Sequence, residues 1–208
     1  MTEKELDILR LDMEKNMSPK RFRHTYEVER MALRLGSIFF PNDKEALMKL
    51  RAAALLHDMT KEYTAEMQLY IMEKKGIALT REDRAAPKTF HARTAAALIP
   101  DEYPELADPD VVTAVRYHTT GRPDMTLYEK LIYLADYIDM SRTFADCVTL
   151  REYFFGKDVE EMTESEKLRH LDDTLILSFD MTIKGLIEEG RVVSADTIAA
   201  RNHLICSR

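Results

Sequence analysis

Apolar residues recur every three or four positions along most of the chain, which is the spacing of one face of an α-helix. A first helix is predicted to start at Thr2, where Glu5 completes a capping-box pattern, and a second at Ser18-Pro19, reaching about Gly36. Regular alternation of apolar and polar residues, the pattern of a strand, is rare. The pattern therefore predicts an all-α protein.

Residues with known capping preferences bound the later segments. Asn42 or Asp43 is expected to cap a third helix, Thr64 a short helix that ends near Gly76, and Ser194 the last helix. Further helices are predicted after Pro87, after Asp108-Pro109, through LYEKLIYLADYIDM at 127–140 and, as one or two helices, at 161–189. We expect a bundle of about eight to ten helices. The bundle is expected to be one domain, residues 1–208, with its core at about 18–142 and C-terminal helices at 146–206 packing on it.

The composition excludes several classes of protein for this chain. The formal charge of -7 argues against a surface that binds nucleic acid, because such surfaces need clustered excess Lys and Arg. Cys147 and Cys206 lie far apart without CxxC spacing, so we expect neither a disulfide framework nor a thiolate zinc site. No apolar stretch approaches the roughly 20 residues of a membrane span. The sequence predicts a soluble, cytoplasmic protein with no membrane association.

Metal-binding side chains fall on the apolar faces of several predicted helices. The set comprises four of the six histidines and two aspartates: His24, His57, Asp58, His91, His118 and Asp136. A single histidine on such a face is more often a hydrogen-bonded core residue than a ligand. Six such groups facing one interior are unfavourable unless something neutralises them, and a metal ion does so. Imidazole nitrogen and carboxylate oxygen suit iron, manganese or zinc. The sequence therefore predicts a buried metal site.

Basic residues stand close in sequence to these groups. Arg21 precedes His24 by one helical turn and Lys61 follows Asp58 by three residues, so each can project toward the same rim. Arg122 and Arg142 are further candidates. Any one alone is explained equally well as a solvated charge, but together they predict a phosphate clamp. A metal that polarises a phosphoryl oxygen, with cations around it, is typical of a phosphohydrolase that needs no side-chain nucleophile.

The ordered set of His24, His57-Asp58 and Asp136 resembles the HD-domain metal-dependent phosphohydrolases. Within that superfamily the chain resembles the YqeK-type symmetrical diadenosine tetraphosphate hydrolases of bacteria. The resemblance spans positions 18 to about 205 and is carried by the stretches SPKRFRH, ALLHDMTKE, FHARTA, RYHTTGRPDMTLYEKLIYLADYIDMSR and DTIAARNHLI.

This resemblance implies an all-α HD fold and the cleavage of diadenosine tetraphosphate into two ADP. It implies one or two divalent ions, with iron favoured and manganese or zinc as alternatives, on the ligands His24, His57, Asp58 and Asp136. It implies substrate contacts from Arg21, His24, Asp58, Lys61, His91, His118, Thr119 and Arg142. The residues expected to take part in catalysis are Asp58, Lys61, His91 and His118. Asp58 would bridge two ions if both are present, and either of the two histidines would hold the phosphate or protonate the departing diphosphate.

Two other functions fit the same residues. Because a fold does not fix a substrate, an HD-type nucleotidase or a nucleoside triphosphate or alarmone phosphohydrolase stays open. A non-catalytic nucleotide-sensing module is the third alternative, and the intact ligand set argues against it. In each case the partner is a small-molecule nucleotide, and both a monomer and a homodimer are open.

Overall fold

This computed structural model describes residues 1–207 of the chain. Within that range the chain forms eleven α-helices and no strand. The helices are α1 Glu3–Asn16, α2 Pro19–Phe39, α3 Lys44–Leu56, α4 Ala65–Lys74, α5 Arg81–Arg84, α6 Phe90–Glu102, α7 Pro109–Tyr117, α8 Leu127–Ile138, α9 Ala145–Phe155, α10 Glu164–Glu188 and α11 Ala195–Cys206. The all-α prediction is confirmed. The helix count exceeds the expected range by one because α5 is a single turn without a buried residue, which apolar periodicity does not detect.

Polar side chains start most of these helices as the sequence indicates. Thr2 and Glu5 form the expected capping box on α1, and the Ser18 hydroxyl accepts a hydrogen bond in the first turn of α2. Asp43 caps α3, whereas Asn42 adopts a left-handed conformation just before it. Local chemistry therefore fixes where these helices begin.

The end of α2 differs from the sequence-based expectation. The helix continues past Gly36 to Phe39. A Cβ atom built on Gly36 would lie 2.7 Å from side-chain carbons of both Leu47 and Leu50 on α3. The glycine therefore allows α2 and α3 to pack closely and does not stop the helix.

One contiguous hydrophobic core holds the helices together. α2 packs against α3 and α8, and α7 packs against α3, α6 and α8. Fully buried leucines fill the contacts among α2, α3 and α8: Leu35, Leu55, Leu56, Leu131 and Leu134. α10 lies against α8, α9 and α11, and its Phe179 ring packs 4.8 Å from that of Tyr133. Within residues 1–207, no helix is both long and apolar enough to cross a membrane. This packing brings the ends of α3, α7 and α8 to the N-terminal half of α2.

Candidate metal centre

Five helices bring the predicted ligands to one place. His24 lies on α2, His91 on α6 and Asp136 on α8, while His57 and His118 occupy the positions that end α3 and α7. Asp58 follows His57 directly. Five of these six side chains are buried, and Asp136 is partly exposed. Residues far apart in the sequence therefore form one cluster.

The cluster contains two overlapping groups of potential metal ligands that share His57. The ligand atoms of His24, His57 and Asp136 lie within 4.8 Å of one another, as do those of His57, Asp58 and His118. The Nε2 atoms of His24 and His57 and the Oδ1 atom of Asp58 are buried without a hydrogen-bond partner. Unpaired buried polar atoms of this kind are costly, and a divalent cation would satisfy them. The residues present therefore fit a divalent metal.

Backbone carbonyls orient two of the histidines. His57 Nδ1 lies 2.6 Å from the carbonyl oxygen of Ala54, and His118 Nδ1 lies 2.7 Å from that of Val115. Both carbonyls belong to the last turn of a helix, where no further helical N–H is available as donor. Since each Nδ1–H donates to its carbonyl, each Nε2 keeps a lone pair directed into the cluster. The helix ends thus select the tautomer that binds metal.

Asp139 supports His24 from behind, and sequence reasoning missed it. Its buried Oδ2 lies 3.2 Å from His24 Nδ1, while the Ser141 hydroxyl and backbone N–H both donate to its Oδ1. A carboxylate on the far nitrogen of a ligating imidazole fixes the ring orientation and raises its basicity. The available signal was a second acid three residues after Asp136, at the end of the same apolar helix.

Burial and charge shift the pKa values of these groups in opposite directions. Burial alone would lower the pKa of His24, but the carboxylates of Asp136 and Asp139, 3.0 and 3.2 Å away, outweigh it and raise the pKa to about 9. Burial alone would raise the pKa of Asp58, but electrostatic interactions with His57 and then Lys61 outweigh burial and hold the pKa well below its usual value. Burial lowers the pKa of His118 to about 4. At neutral pH the cluster therefore combines ionised carboxylates with a neutral His118.

His91 is the most crowded of the histidines. Its Nε2 lies 3.1 Å from Lys61 Nζ, 3.0 Å from His118 Nε2 and 3.1 Å from the hydroxyl of Thr119. Burial, followed by the charge of Lys61, keeps the pKa of His91 well below its usual value although Asp58 opposes this. His91 is therefore neutral at pH 7, and its Nε2 lies among the side chains of Lys61, His118 and Thr119.

Two of the four candidate basic residues hold the cluster's carboxylates directly. Arg21 donates to Asp58 Oδ2 and Arg142 to Asp136 Oδ1, each at 2.6 Å. The Nε of Arg122 donates instead to the buried Glu129 at 3.0 Å. The part of Arg122 in a phosphate clamp stays a prediction.

A cavity of about 650 Å³ opens above the cluster. Its lining combines basic residues with hydroxyl and aromatic side chains: Lys20, Arg21, Arg23, His24, Lys61, Ser141, Arg142, Thr143 and Phe144. No acidic side chain belongs to this lining. A cavity of this charge next to a metal centre favours an anionic ligand.

The fold and this site define an all-α, metal-dependent hydrolase. The HD domain model matches residues 21–141, a range that contains all six potential ligands of the cluster, from His24 to Asp136. The chain belongs to the HD domain family. Membership of this family implies a divalent metal at the cluster, in agreement with the ligand geometry.

Three relatives extend the similarity over nearly the whole chain. The chain is 31% identical to a symmetrical bis(5'-nucleosyl)-tetraphosphatase of Bacillus subtilis, covering 93% of this chain and 94% of that protein. It is 30% identical to the protein of the same name in Halalkalibacterium halodurans, with 91% of each chain covered. A crystal structure from Clostridium acetobutylicum, described as a predicted HD superfamily hydrolase involved in NAD metabolism, superimposes with a TM-score of 0.82 at 33% identity and covers 97% of both chains.

Proposed function

We propose that this protein hydrolyses dinucleoside tetraphosphates symmetrically and converts diadenosine tetraphosphate into two ADP. The observation that carries the proposal is the basic cavity directly above the histidine and aspartate cluster. The relatives named as symmetrical bis(5'-nucleosyl)-tetraphosphatases support it, because their similarity covers more than nine tenths of this chain. A linear polyphosphate carries the negative charge that such a cavity favours.

The proposed metal ligands are His24, His57, Asp58 and Asp136. His57 shares one group of ligand atoms with His24 and Asp136 and the other group with Asp58. When bound, a divalent metal polarises a phosphoryl oxygen and makes a water ligand more acidic. Iron is the proposed metal, because imidazole and carboxylate ligands without thiolate suit it, and manganese or zinc would fit the same donors. The second ligand group, which includes His118, would allow two ions.

The remaining polar side chains bind and orient the polyphosphate. Lys61 and Thr119 lie beside His91 at the inner end of the site, where they can contact the phosphate under attack. Arg21 and Arg142 line the cavity and also donate to the carboxylates of Asp58 and Asp136. Each guanidinium can therefore bind a carboxylate of the metal site with one N–H group and a substrate phosphate with another. Positioning and charge neutralisation supply most of the catalysis in phosphoryl transfer.

The bond changes follow from symmetrical cleavage. The oxygen of water bonds to one of the two central phosphorus atoms while the central bridging P–O bond breaks, and the bridging oxygen leaves with the second nucleoside diphosphate. Because burial keeps His91 and His118 neutral, either ring must first take a proton from the attacking water before it can give one to the departing diphosphate. We propose that these two histidines relay that proton.

The decisive test separates the products of the purified, metal-supplemented protein with diadenosine tetraphosphate as substrate. We expect ADP alone. AMP together with ATP would instead show asymmetric cleavage, and turnover of nucleoside monophosphates, nucleoside triphosphates or alarmones alone would favour the other enzymes considered. Binding without any turnover would favour a nucleotide sensor. Metal analysis of the same sample identifies the ion and gives one or two equivalents per chain.

Asp58→Asn tests the metal centre with little change in volume. Asp58 is 3% exposed and belongs to the cluster, so we expect loss of both bound metal and hydrolysis with an unchanged far-ultraviolet circular dichroism spectrum. The matched control is Asp146→Asn, an exposed carboxylate on α9 outside the cluster. Full hydrolysis by Asp58→Asn would refute the assignment.

The proposed partner is a small nucleotide and not a nucleic acid, in keeping with the formal charge of -7. The homodimer stays a prediction, which sedimentation equilibrium of the purified protein tests.

A further inference from the structure

The cavity above the metal centre has a charge opposite to that of the whole protein. Five of its nine lining residues are Lys or Arg, although the chain has a formal charge of -7. Such local concentration of positive charge attracts a polyanion. The five basic residues do not have the same surroundings, however, and this difference separates the cavity into an inner and an outer part.

The inner basic residues are already engaged. Arg21 and Arg142 each donate to a carboxylate of the metal centre at 2.6 Å, and Lys61 contacts His91 at 3.1 Å. Lys20 and Arg23 form the outer part, and both are exposed. Neither has an ion pair or a side-chain hydrogen bond to another residue in the described range 1–207. Their charges are therefore free to bind an anion.

The position of Lys20 and Arg23 on α2 is unfavourable without such an anion. The two residues are three apart, so they share one face of the helix as like charges. They lie in the first two turns of α2, whose first turn contains no acidic residue. Positive charge at a helix N-terminus opposes the helix dipole. A phosphate bound between the two side chains would offset both effects.

Phe144 lies at the edge of the same cavity and has no structural role that its contacts explain. Its side chain is 71% exposed. It occupies the N-cap position of α9, which favours Ser, Thr, Asp or Asn, and it makes no capping hydrogen bond. An exposed aromatic ring beside a basic groove is a stacking surface for a nucleobase.

We propose that Lys20, Arg23 and Phe144 form a subsite for the outer half of a dinucleoside polyphosphate. Lys20 and Arg23 bind the phosphates that lie beyond the cleaved bridge, and Phe144 stacks on the second base. The subsite rests on the proposed function, which places the attacked phosphate at the metal centre. It gives a physical reason for preferring a dinucleotide, because a mononucleotide would leave Phe144 without a base.

Two ligands distinguish the phosphate contacts from the base contact. Diadenosine tetraphosphate and adenosine 5'-tetraphosphate carry the same number of phosphates, but only the first has an outer nucleoside. Their Kd values are measured on the full chain in EDTA, where no turnover is expected, and KM and kcat for diadenosine tetraphosphate are measured on the metal-loaded protein. The variants are Lys20→Gln/Arg23→Gln and Phe144→Leu, with Phe144→Tyr as the conservative variant.

We expect Lys20→Gln/Arg23→Gln to weaken binding of both ligands about tenfold, as two exposed charge contacts allow. We expect Phe144→Leu to weaken binding of diadenosine tetraphosphate alone, about fivefold or more, and Phe144→Tyr to restore it. KM should rise by similar factors while kcat stays within about twofold, because neither change touches the reacting phosphate. The control Lys4→Gln/Arg169→Gln removes the same charge from exposed positions on α1 and α10.

The outcomes separate the subsite from the proposed function. If the wild-type protein does not hydrolyse diadenosine tetraphosphate, the proposed function fails, and the Kd values alone decide the subsite. If hydrolysis is observed but the Lys20→Gln/Arg23→Gln variant behaves like the Lys4→Gln/Arg169→Gln control, the phosphate contacts are refuted. Equal losses for both ligands in Phe144→Leu would refute the stacking of Phe144 on the second base.

Discussion

Replacing Asp139 by Asn tests how far the metal centre depends on a residue that would not itself bind the metal. The substitution keeps the side-chain volume and removes the charge that His24 Nδ1 faces at 3.2 Å. Losing the carboxylate that supports a ligating histidine typically lowers metal affinity about tenfold to a hundredfold. The expected loss is therefore about 1.4–2.7 kcal/mol of metal-binding free energy, which is that tenfold to hundredfold range.

The assay is competition for the metal against a chromophoric chelator above pH 9, where His24 has lost its proton and proton competition does not offset the loss. Asp146→Asn removes an exposed carboxylate seven residues further along and should leave the affinity unchanged. In the metal-free protein, histidine NMR should also show a lower pKa for His24, because Asp139 is one of the two carboxylates that raise it. A metal affinity within twofold of wild type, with an unchanged His24 pKa, would show that Asp139 does not support the ligand.

Two further predictions concern proton competition and backbone strain. Metal affinity should increase as pH rises from 7 to about 9 and then level off, because His24, with its pKa raised to about 9, must lose its proton to bind metal. Chelator competition measures the affinity at each pH, and an affinity that does not change with pH would contradict this prediction. Gly121→Ala should lower the free energy of unfolding in urea by about 1–3 kcal/mol more than Gly76→Ala. Both glycines have positive φ, but a Cβ on Gly121 would lie 2.7 Å from Phe179, whereas Gly76 has open space, so equal losses would rule out the packing contribution.

The starts of several helices could be predicted from the sequence because neighbouring residues determine them. Capping side chains such as Thr2 and Ser18 bond to backbone groups within three residues, so the starts of α1 and α2 need no tertiary information. The helical period likewise placed His24 on an inward face. Gly36 shows the limit of such reasoning, since its role depends on Leu47 and Leu50 of another helix.

The sequence by itself determined that histidines and aspartates recur on apolar helix faces and that one pair is adjacent, His57-Asp58. Only the tertiary structure decided which neighbours join them. It placed Asp139 beside His24 and paired Arg122 with Glu129. It also left Lys20 and Arg23 without partners at the mouth of the cavity. The physical reason is that a helical repeat fixes which face a residue occupies, whereas ion pairs form across faces whose contacts depend on how the helices pack.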